Sequence, residues 1–372
     1  MPWLWASELL MAVPVAALYA RAADRWPRRA LVRALFCSEA LLLGGIAVAA
    51  WLGVPRSAYT AATYVVSSLD VLVVRVAVWT LATEALPADR APKLLPRIAG
   101  VLTVVDLVSY TASGLFSWQL GQGIAHWDPA VLALSASGFG AAAAIAGRGT
   151  GSAPALAGPE AVVGPGLRAL FGSVPGLPAL AVAVTGAWAS MSALQLYNLL
   201  ATERAADGDE GALRALYAGF GCATLVVVWL VQLGASRWLE RIAPVRALHV
   251  LPTALLACVG LAAGVPGLLG AWLADGLHYV GYDGWDTAAR FAWMARLPEA
   301  IRGRAMALVE TQAYVAGSLA GALVLGSLGM WSADGDQLAA ICLVVAGACA
   351  TVAWLAVRRI PTAGASSAPV QC

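Results

Sequence analysis

The sequence predicts an all-α membrane protein, a polytopic bundle of about eleven helices in two parallel, pseudo-symmetric halves. Three observations predict this class. Apolar runs of about 20 residues recur along the chain. Basic residues cluster in every second break between these runs, and short motifs from the first half return in the second.

The apolar runs define the helices. The mean hydropathy is +0.77, and only 12% of the residues are charged. About 20 apolar residues form a helix that crosses a hydrocarbon core of about 30 Å, and lipid requires the backbone to satisfy its own hydrogen bonds. This composition excludes a soluble domain. The predicted spans are 3–20, 33–52, 60–84, 99–120, 129–147, 177–201, 212–234, 247–266, 268–294, 305–329 and 337–357.

Basic residues set the orientation. Of the 23 Lys and Arg residues, 18 lie in alternate breaks, three lie in the other breaks, and two lie inside spans. An excess of basic residues marks the cytoplasmic side. We therefore expect a multi-pass protein of the plasma (inner) membrane with a cytoplasmic C-terminus. The breaks predicted to be cytoplasmic are 21–33, 87–97, 148–172, 235–246, 296–304 and the segment after residue 357.

Three motif pairs indicate the repeat. "PRRAL" at 27–31 returns as "PVRAL" at 244–248, a Leu-Pro pair at 86–87 returns at 297–298, and "VDLVSYTASGL" at 105–115 returns as "VETQAYVAGSL" at 309–319. The order is kept, so the halves run in the same direction, a plan found in secondary transporters. The predicted domains are a half bundle at 1–147, a Gly- and Pro-rich linker at 148–175, a second half bundle at 176–359 and a disordered tail at 360–372.

The segment "ARAADRWPRRALV" at 20–32 resembles the signature loop of the major facilitator superfamily, which runs Gly-x-x-x-Asp-Arg-x-Gly-Arg-Arg/Lys. Ala20 and Pro27 stand where the family has glycine. Because an acid beside helix-end arginines can bridge to a neighbouring helix, we interpret this loop and its weaker copy as a cytoplasmic gate. The alternative is a charge cluster that only sets topology. The gate residues are Asp24, Arg25, Arg28, Arg29, Glu240, Arg241 and Arg246.

The resemblance implies two helices before the signature loop, whereas only span 3–20 is predicted there. Span 3–20 would be the second helix of the family, so we expect a truncated start, and the alternative is a true eleven-span variant. The stretch 289–323 also resembles the ATP/ADP translocase group in its Leu-Pro, Arg-Gly-Arg and Gly-rich order. Carriers of that group bind phosphates with intramembrane lysines. No span of this chain contains one, which argues against nucleotide transport.

Charges inside the spans carry the candidate chemistry, because they are costly in lipid and mark polar paths. At roughly 100° per residue, seven polar groups of helix 268–294 share one face. A histidine beside a carboxylate suits proton transfer, and an acid four residues before an arginine suits an ion pair. The alternative is a polar network that only orders the bundle. These residues are Asp275, His278, Tyr279, Tyr282, Asp283, Asp286 and Arg290.

The repeated motif adds an acid and a tyrosine one helical turn apart in each half. These pairs are Asp106 with Tyr110 and Glu310 with Tyr314. Equivalent acids in both halves could form a binding or coupling site near the pseudo-twofold axis. They could equally join the halves near their cytoplasmic ends.

We expect a secondary active transporter of a small solute that works by alternating access and is coupled to protons. The excess of acids on helix 268–294 favours a cationic or zwitterionic solute. The alternative is a membrane sensor or scaffold with a degenerate transporter fold. No phosphate-binding loop, zinc motif or nucleophile–base set is present, so neither an enzyme, nor a metal or cofactor, nor a nucleic-acid partner is expected. The sequence leaves the oligomeric state open.

Overall fold

The computed structural model describes most of the chain as helix, and its described part contains no strand. The described residues are 14–15, 18–19, 22, 26–69, 73–86, 89–120, 127–148, 171–172, 174–207, 209–265, 267–297, 302, 305–306, 308–310, 313–315 and 335–361. The predicted span 3–20, the tail from 362, and most of the linker and of span 305–329 lie outside this set.

The helices follow the apolar runs closely. The first five are α1 (Arg28–Trp51), α2 (Arg56–Leu69), α3 (Arg75–Ala85), α4 (Ala91–Leu120) and α5 (Trp127–Arg148). The others are α6 (Leu177–Ala206), α7 (Glu210–Arg241), the short α8 (Pro244–Ala247), α9 (Val250–Gly264), α10 (Gly267–Gly281), α11 (Thr287–Met294) and α12 (Gly335–Val357). Within the described residues, six helices are long and apolar enough to cross a membrane.

One predicted span is divided. The expected continuous helix 268–294 is interrupted by a π-helical turn, Tyr282–Asp286, between α10 and α11. In span 60–84, α2 and α3 lie on either side of residues 70–72, which are outside the described set. Hydropathy measures whether a segment can lie in lipid, and it does not report the hydrogen-bond pattern inside the segment. The apolar run was therefore sufficient to find span 268–294 but not its interruption.

The helices pack side by side in pairs and approach closely at small residues. Helix α4 lies along α7, α1 lies along α5, and α6 lies along α12. At the α6–α12 seam a Cβ atom on Gly186 would lie 2.9 Å from the carbonyl oxygen of Cys349. Ser190 donates a hydrogen bond of 2.9 Å to the carbonyl of Ala346 at the same seam. Close backbone approach of this kind is how helices associate in lipid.

Ion pairs at the two ends of the bundle join breaks that the charge pattern assigns to the same side of the membrane. Lys93 and Glu240, from two breaks predicted to be cytoplasmic, form an ion pair of 3.2 Å. Arg204 and Asp336, from two breaks predicted to face outside, pair at 2.8 Å. Gly176 has a φ of +87°, which favours glycine, and its missing Cβ would lie 2.9 Å from Pro361. The start of α6 therefore lies beside the end of α12, as the topology requires.

The hydrophobic core is deepest at the end that holds Lys93. There, Trp79 of α3 stacks on Phe291 of α11 with ring centroids 4.9 Å apart. The same cluster includes Leu95 of α4 and Leu177 of α6, both fully buried. Side chains from the first and second parts of the chain thus share one core. Large apolar residues elsewhere point outward along the helices, as expected for a surface in contact with lipid.

Candidate functional site

The helix that carries the predicted polar face is shaped by its π turn. In this turn the amide of Thr287 bonds to the carbonyl of Tyr282, five residues earlier, and the Thr287 hydroxyl donates to the same carbonyl at 3.1 Å. Two glycines let neighbouring helices approach. A Cβ on Gly281 would lie 3.2 Å from Leu251, and one on Gly284 would lie 3.1 Å from Val231. Turns of this type are rare and often occur at functional sites.

A first group, the histidine cluster, joins α10 to α6. It consists of Asp275, His278, Asn198 and Thr202, all buried. The Nδ2 of Asn198 donates to the Asp275 Oδ2 at 2.9 Å, and the Thr202 hydroxyl donates to the Asn198 carbonyl at 2.8 Å. The His278 Nδ1 lies 3.1 Å from the Asp275 Oδ1. The angle at this last contact is poor for a hydrogen bond, so we treat it as a close polar pair.

A second group, the arginine cluster, lies further along the same helix. Asp286 is eleven residues after Asp275, and a rise of about 1.5 Å per residue gives a separation of about 16 Å along the helix axis. The cluster consists of Arg290, Asp286 and Glu310. Arg290 is 1% exposed, and its Nη1 donates to the Glu310 Oε1 at 2.6 Å. Its Nε lies 3.3 Å from the Asp286 Oδ2 without an aligned hydrogen bond. The pairing of Asp286 with Arg290 that the spacing predicts is therefore present, and Glu310 holds Arg290 more tightly.

Aromatic rings surround the arginine cluster. The Arg290 guanidinium lies 5.5 Å from the centroid of the Tyr282 ring, a cation–π geometry. Trp188 of α6 packs edge-on against both Tyr282, at 5.4 Å, and Tyr314, at 5.5 Å. The Trp188 indole N–H is buried and has no hydrogen-bond partner among the described residues. Trp188 also contacts the core cluster that contains Val76 from the first part of the chain.

The predicted polar face is thus divided between two clusters. Asp275 and His278 belong to the histidine cluster, and Tyr282, Asp286 and Arg290 to the arginine cluster. Tyr279 contacts Gln195 of α6 through its hydroxyl at 3.3 Å. The carbonyl of Asp283 accepts a 2.9 Å bond from Gln232 of α7, and the Asp283 side chain is part-exposed. The π turn changes the 100° spacing, so the seven residues do not form the single row that an uninterrupted α-helix would give.

The predicted gate residues are partly described. Glu240 bridges to Lys93, and these two residues line a cavity of about 440 Å³ together with Asp89, Arg90 and Leu94. Arg241 ends α7 directly after Glu240, Arg246 lies on α8, and Arg29 lies in the first turn of α1. Asp24, Arg25 and the Arg28 side chain lie outside the described residues. The Asp106 and Tyr110 side chains on α4 also lie outside them.

Sequence reasoning did not single out Lys93 or Trp188. Lys93 is the only lysine in the chain and comes one helical turn after Arg90, so its charge was visible while its partner on α7 was not. Trp188 lies in the middle of an apolar run, and a tryptophan there is indistinguishable from a lipid-facing one until the helices are packed. No group of three His, Cys, Asp or Glu side chains in the described part could hold a metal ion.

Comparisons with known proteins support the fold. Neither family sequence models nor characterised proteins gave a match. Among solved structures, the proton:xylose symporter XylE has a TM-score of 0.65 at 14% identity, covering 96% of this chain and 84% of that one. A bacterial homologue of the iron transporter ferroportin gives 0.62 at 16%, covering 95% and 88%. The human organic anion transporter TETRAN gives 0.65 at 13%, covering 97% and 83%.

The chain has the fold of major facilitator superfamily transporters, and the resemblance first given by the segment 20–32 is confirmed at the level of the fold. This is a multi-pass membrane fold. The proteins named above are a xylose symporter, a homologue of an iron transporter and an organic anion transporter, so the fold does not select a solute. The solute must be argued from the two clusters.

Proposed function

We propose that this protein is a secondary active transporter that moves a small solute by alternating access and uses a proton as the coupling ion. The observation that carries the proposal is the buried pair of Asp275 and His278, with Asn198 on a second helix. A carboxylate that is 4% exposed inside a membrane fold needs compensation for its lost hydration. One neutral amide and a nearby imidazole supply only part of that compensation, and a bound proton supplies the rest.

A proton fits this pair better than a metal cation. The Asp275 Oδ1 faces an imidazole nitrogen at 3.1 Å, so a proton can be held by either atom without further ligands. A sodium ion would need several oxygen atoms around it and would be repelled by a protonated His278. Titratable groups around the pair include Tyr279, whose ring centroid lies 4.2 Å from that of His278. Tyr217 of α7 and Cys258 of α9 both interact electrostatically with Asp275.

Alternating access requires seams between the two halves that can open. The α4–α7 seam carries the Lys93–Glu240 pair at its end, and both side chains are about half exposed. A solvent-exposed ion pair contributes below about 1 kcal/mol, so it can form and break during a transport cycle. We propose that this pair closes the cytoplasmic side, in a plasma membrane orientation with the C-terminus inside. The halves proposed are those of the sequence analysis, 1–147 and 176–359.

The proposal is tested with purified protein in liposomes that contain a pH-sensitive dye. A pH gradient is imposed, and solutes of different charge are added one at a time. We expect at least one solute to cause proton movement in the wild type. Asp275→Asn and His278→Gln should abolish the coupled proton movement, whereas Asp336→Asn, the same chemical change on an 82% exposed side chain, should not.

Two results would contradict the proposal. Solute flux that ignores the pH gradient and survives Asp275→Asn would show that the histidine cluster is structural. An absence of flux for every solute, with the protein folded, would favour the sensor or scaffold alternative.

A further inference from the structure

The arginine cluster carries an unbalanced charge. With both acids ionised, Asp286 and Glu310 contribute two negative charges and Arg290 contributes one positive charge. The side chains of Asp286 and Arg290 are 7% and 1% exposed, and that of Glu310 is 11% exposed. A surplus negative charge at this depth is costly unless a cation neutralises it. Among the described residues no second cationic side chain pairs with these acids, which leaves a proton or a charged solute to supply the charge.

The two acids are not equivalent. Glu310 accepts an aligned hydrogen bond of 2.6 Å from the Arg290 Nη1, so this pair satisfies both charges. Asp286 lies 3.3 Å from the Arg290 Nε without an aligned bond. Asp286 can therefore leave Arg290 at little cost, because Glu310 still neutralises the guanidinium. The exchangeable carboxylate is Asp286.

The surroundings of Asp286 suit an organic cation. Tyr282 is one helical turn before Asp286, and its ring already faces the Arg290 guanidinium at 5.5 Å. Trp188 lies against that ring and adds a second aromatic surface. Aromatic rings beside a carboxylate attract alkylammonium and similar cations through their quadrupoles. The buried Trp188 N–H, which has no described partner, offers a hydrogen bond to a polar group of the same solute.

We infer that the arginine cluster binds a monovalent organic cation at Asp286, beside the ring of Tyr282 and the Trp188 ring that packs against it, in exchange for one proton. The exchange balances: the protonated carboxyl of Asp286 releases H⁺, and its carboxylate then pairs with the cation. This inference rests on the proposed function and names its solute class. The charged groups that act on Asp286 are Arg290 on its own helix and Glu310 on the neighbouring segment. Tyr282 lies beside the Arg290 guanidinium, and Trp188 of α6 contacts both Tyr282 and Tyr314.

The test is equilibrium binding of two cations of different size, tetraphenylphosphonium and tetraethylammonium, to the full chain in detergent. Tetraphenylborate, which has the shape of the first and the opposite charge, is the matched anion. We expect at least one cation to bind in preference to the anion and to release about one proton in weakly buffered solution. Because the proton competes, cation affinity should fall by up to about tenfold for each pH unit below the titration of Asp286.

Variants separate this site from the other cluster. Asp286→Asn should weaken cation binding by tenfold or more, and the protein should still fold because the Glu310–Arg290 pair remains. Trp188→Leu removes one aromatic face and should weaken cation binding by about 2- to 30-fold. Asp336→Asn should bind as the wild type does. Asp275→Asn should keep cation binding and its proton release, even though it is expected to lose coupled flux.

Proton release is measured on the wild type and does not depend on the folding of any variant. The inference is overturned if neither cation binds, if tetraphenylborate binds as well as the cations, or if binding releases no proton. Cation binding with proton release but without flux of any solute would support the site and contradict the proposed transport. Coupled flux of a neutral or anionic solute alone, without cation binding, would support the proposed transport and contradict the cation site.

Discussion

The hydrogen bond from Asn198 to Asp275 gives a prediction whose size depends on pH. Asn198→Ala removes the only side-chain donor to Asp275 that the described residues supply at hydrogen-bond distance with good geometry, 2.9 Å from Oδ2. A hydrogen bond to an ionised group contributes about 1.5–3 kcal/mol, and one between neutral groups contributes about 0.5–1.5 kcal/mol. The variant should therefore lose more stability where Asp275 is ionised than where it is protonated.

The sign follows from proton linkage. Removing a donor destabilises an ionised carboxylate more than a protonated one. The stability deficit of the variant should then be largest at high pH, where carboxylates are ionised, and smaller in acid, where they are protonated. The difference between the two limits should be about 1 kcal/mol.

The measurement is thermal unfolding of the detergent-purified wild type and variant across a series of pH values, followed by tryptophan fluorescence. Ser190→Ala is the matched control, because Ser190 is fully buried and its hydroxyl donates to the neutral carbonyl of Ala346 at 2.9 Å. Its deficit should not change with pH. An Asn198→Ala deficit that is equal at all pH values would show that Asp275 keeps one protonation state throughout, and the reasoning would then be wrong.

Three further predictions concern other parts of the bundle, each measured by thermal unfolding in detergent. Arg290→Met leaves two carboxylates buried at one site and should cost about 3–5 kcal/mol at neutral pH, with partial recovery in acid; recovery at high pH instead would contradict the assigned charges. Gly186→Ala places a Cβ 2.9 Å from a backbone oxygen and should cost about 1–3 kcal/mol, whereas Gly45→Ala, which has open space, should not destabilise. Glu240→Lys should lower the free energy of unfolding by less than about 1 kcal/mol, because two positive charges would then lie together. A double variant, Glu240→Lys with Lys93→Glu, should restore the stability of the wild type. A double variant as unstable as the single one would show that the two side chains do not pair.

Much of the fold could be predicted because lipid imposes simple rules. Apolar runs located α1 (Arg28–Trp51) and α12 (Gly335–Val357) to within about five residues, since a spanning helix cannot be much shorter than the hydrocarbon core. The basic residues predicted which helix ends lie together, and the Lys93–Glu240 and Arg204–Asp336 pairs agree. Neither rule depends on how the helices pack.

The site was less predictable because it depends on packing. The i,i+3 and i,i+4 spacings identified the partners within one helix, Asp275 with His278 and Asp286 with Arg290. Spacing carries no information on contacts between helices. The role of Asn198 as the donor to Asp275, and the position of Trp188 between Tyr282 and Tyr314, required the arrangement of α6 against α10.

The π turn explains how one helix can hold two separate charged clusters. An uninterrupted α-helix would place Asp275 and Asp286 on closely related faces, since eleven residues are close to three turns. The five-residue turn replaces the α-helical hydrogen-bond pattern between the segment before Tyr282 and the segment after Asp286, so the residues on its two sides do not keep one 100° register. The carbonyls of Tyr282 and Asp283 accept bonds from Thr287 and Gln232, so neighbouring side chains stabilise this geometry. Asp275 of the histidine cluster then pairs with Asn198 of α6, Arg290 of the arginine cluster pairs with Glu310, and this turn joins the two clusters along the chain.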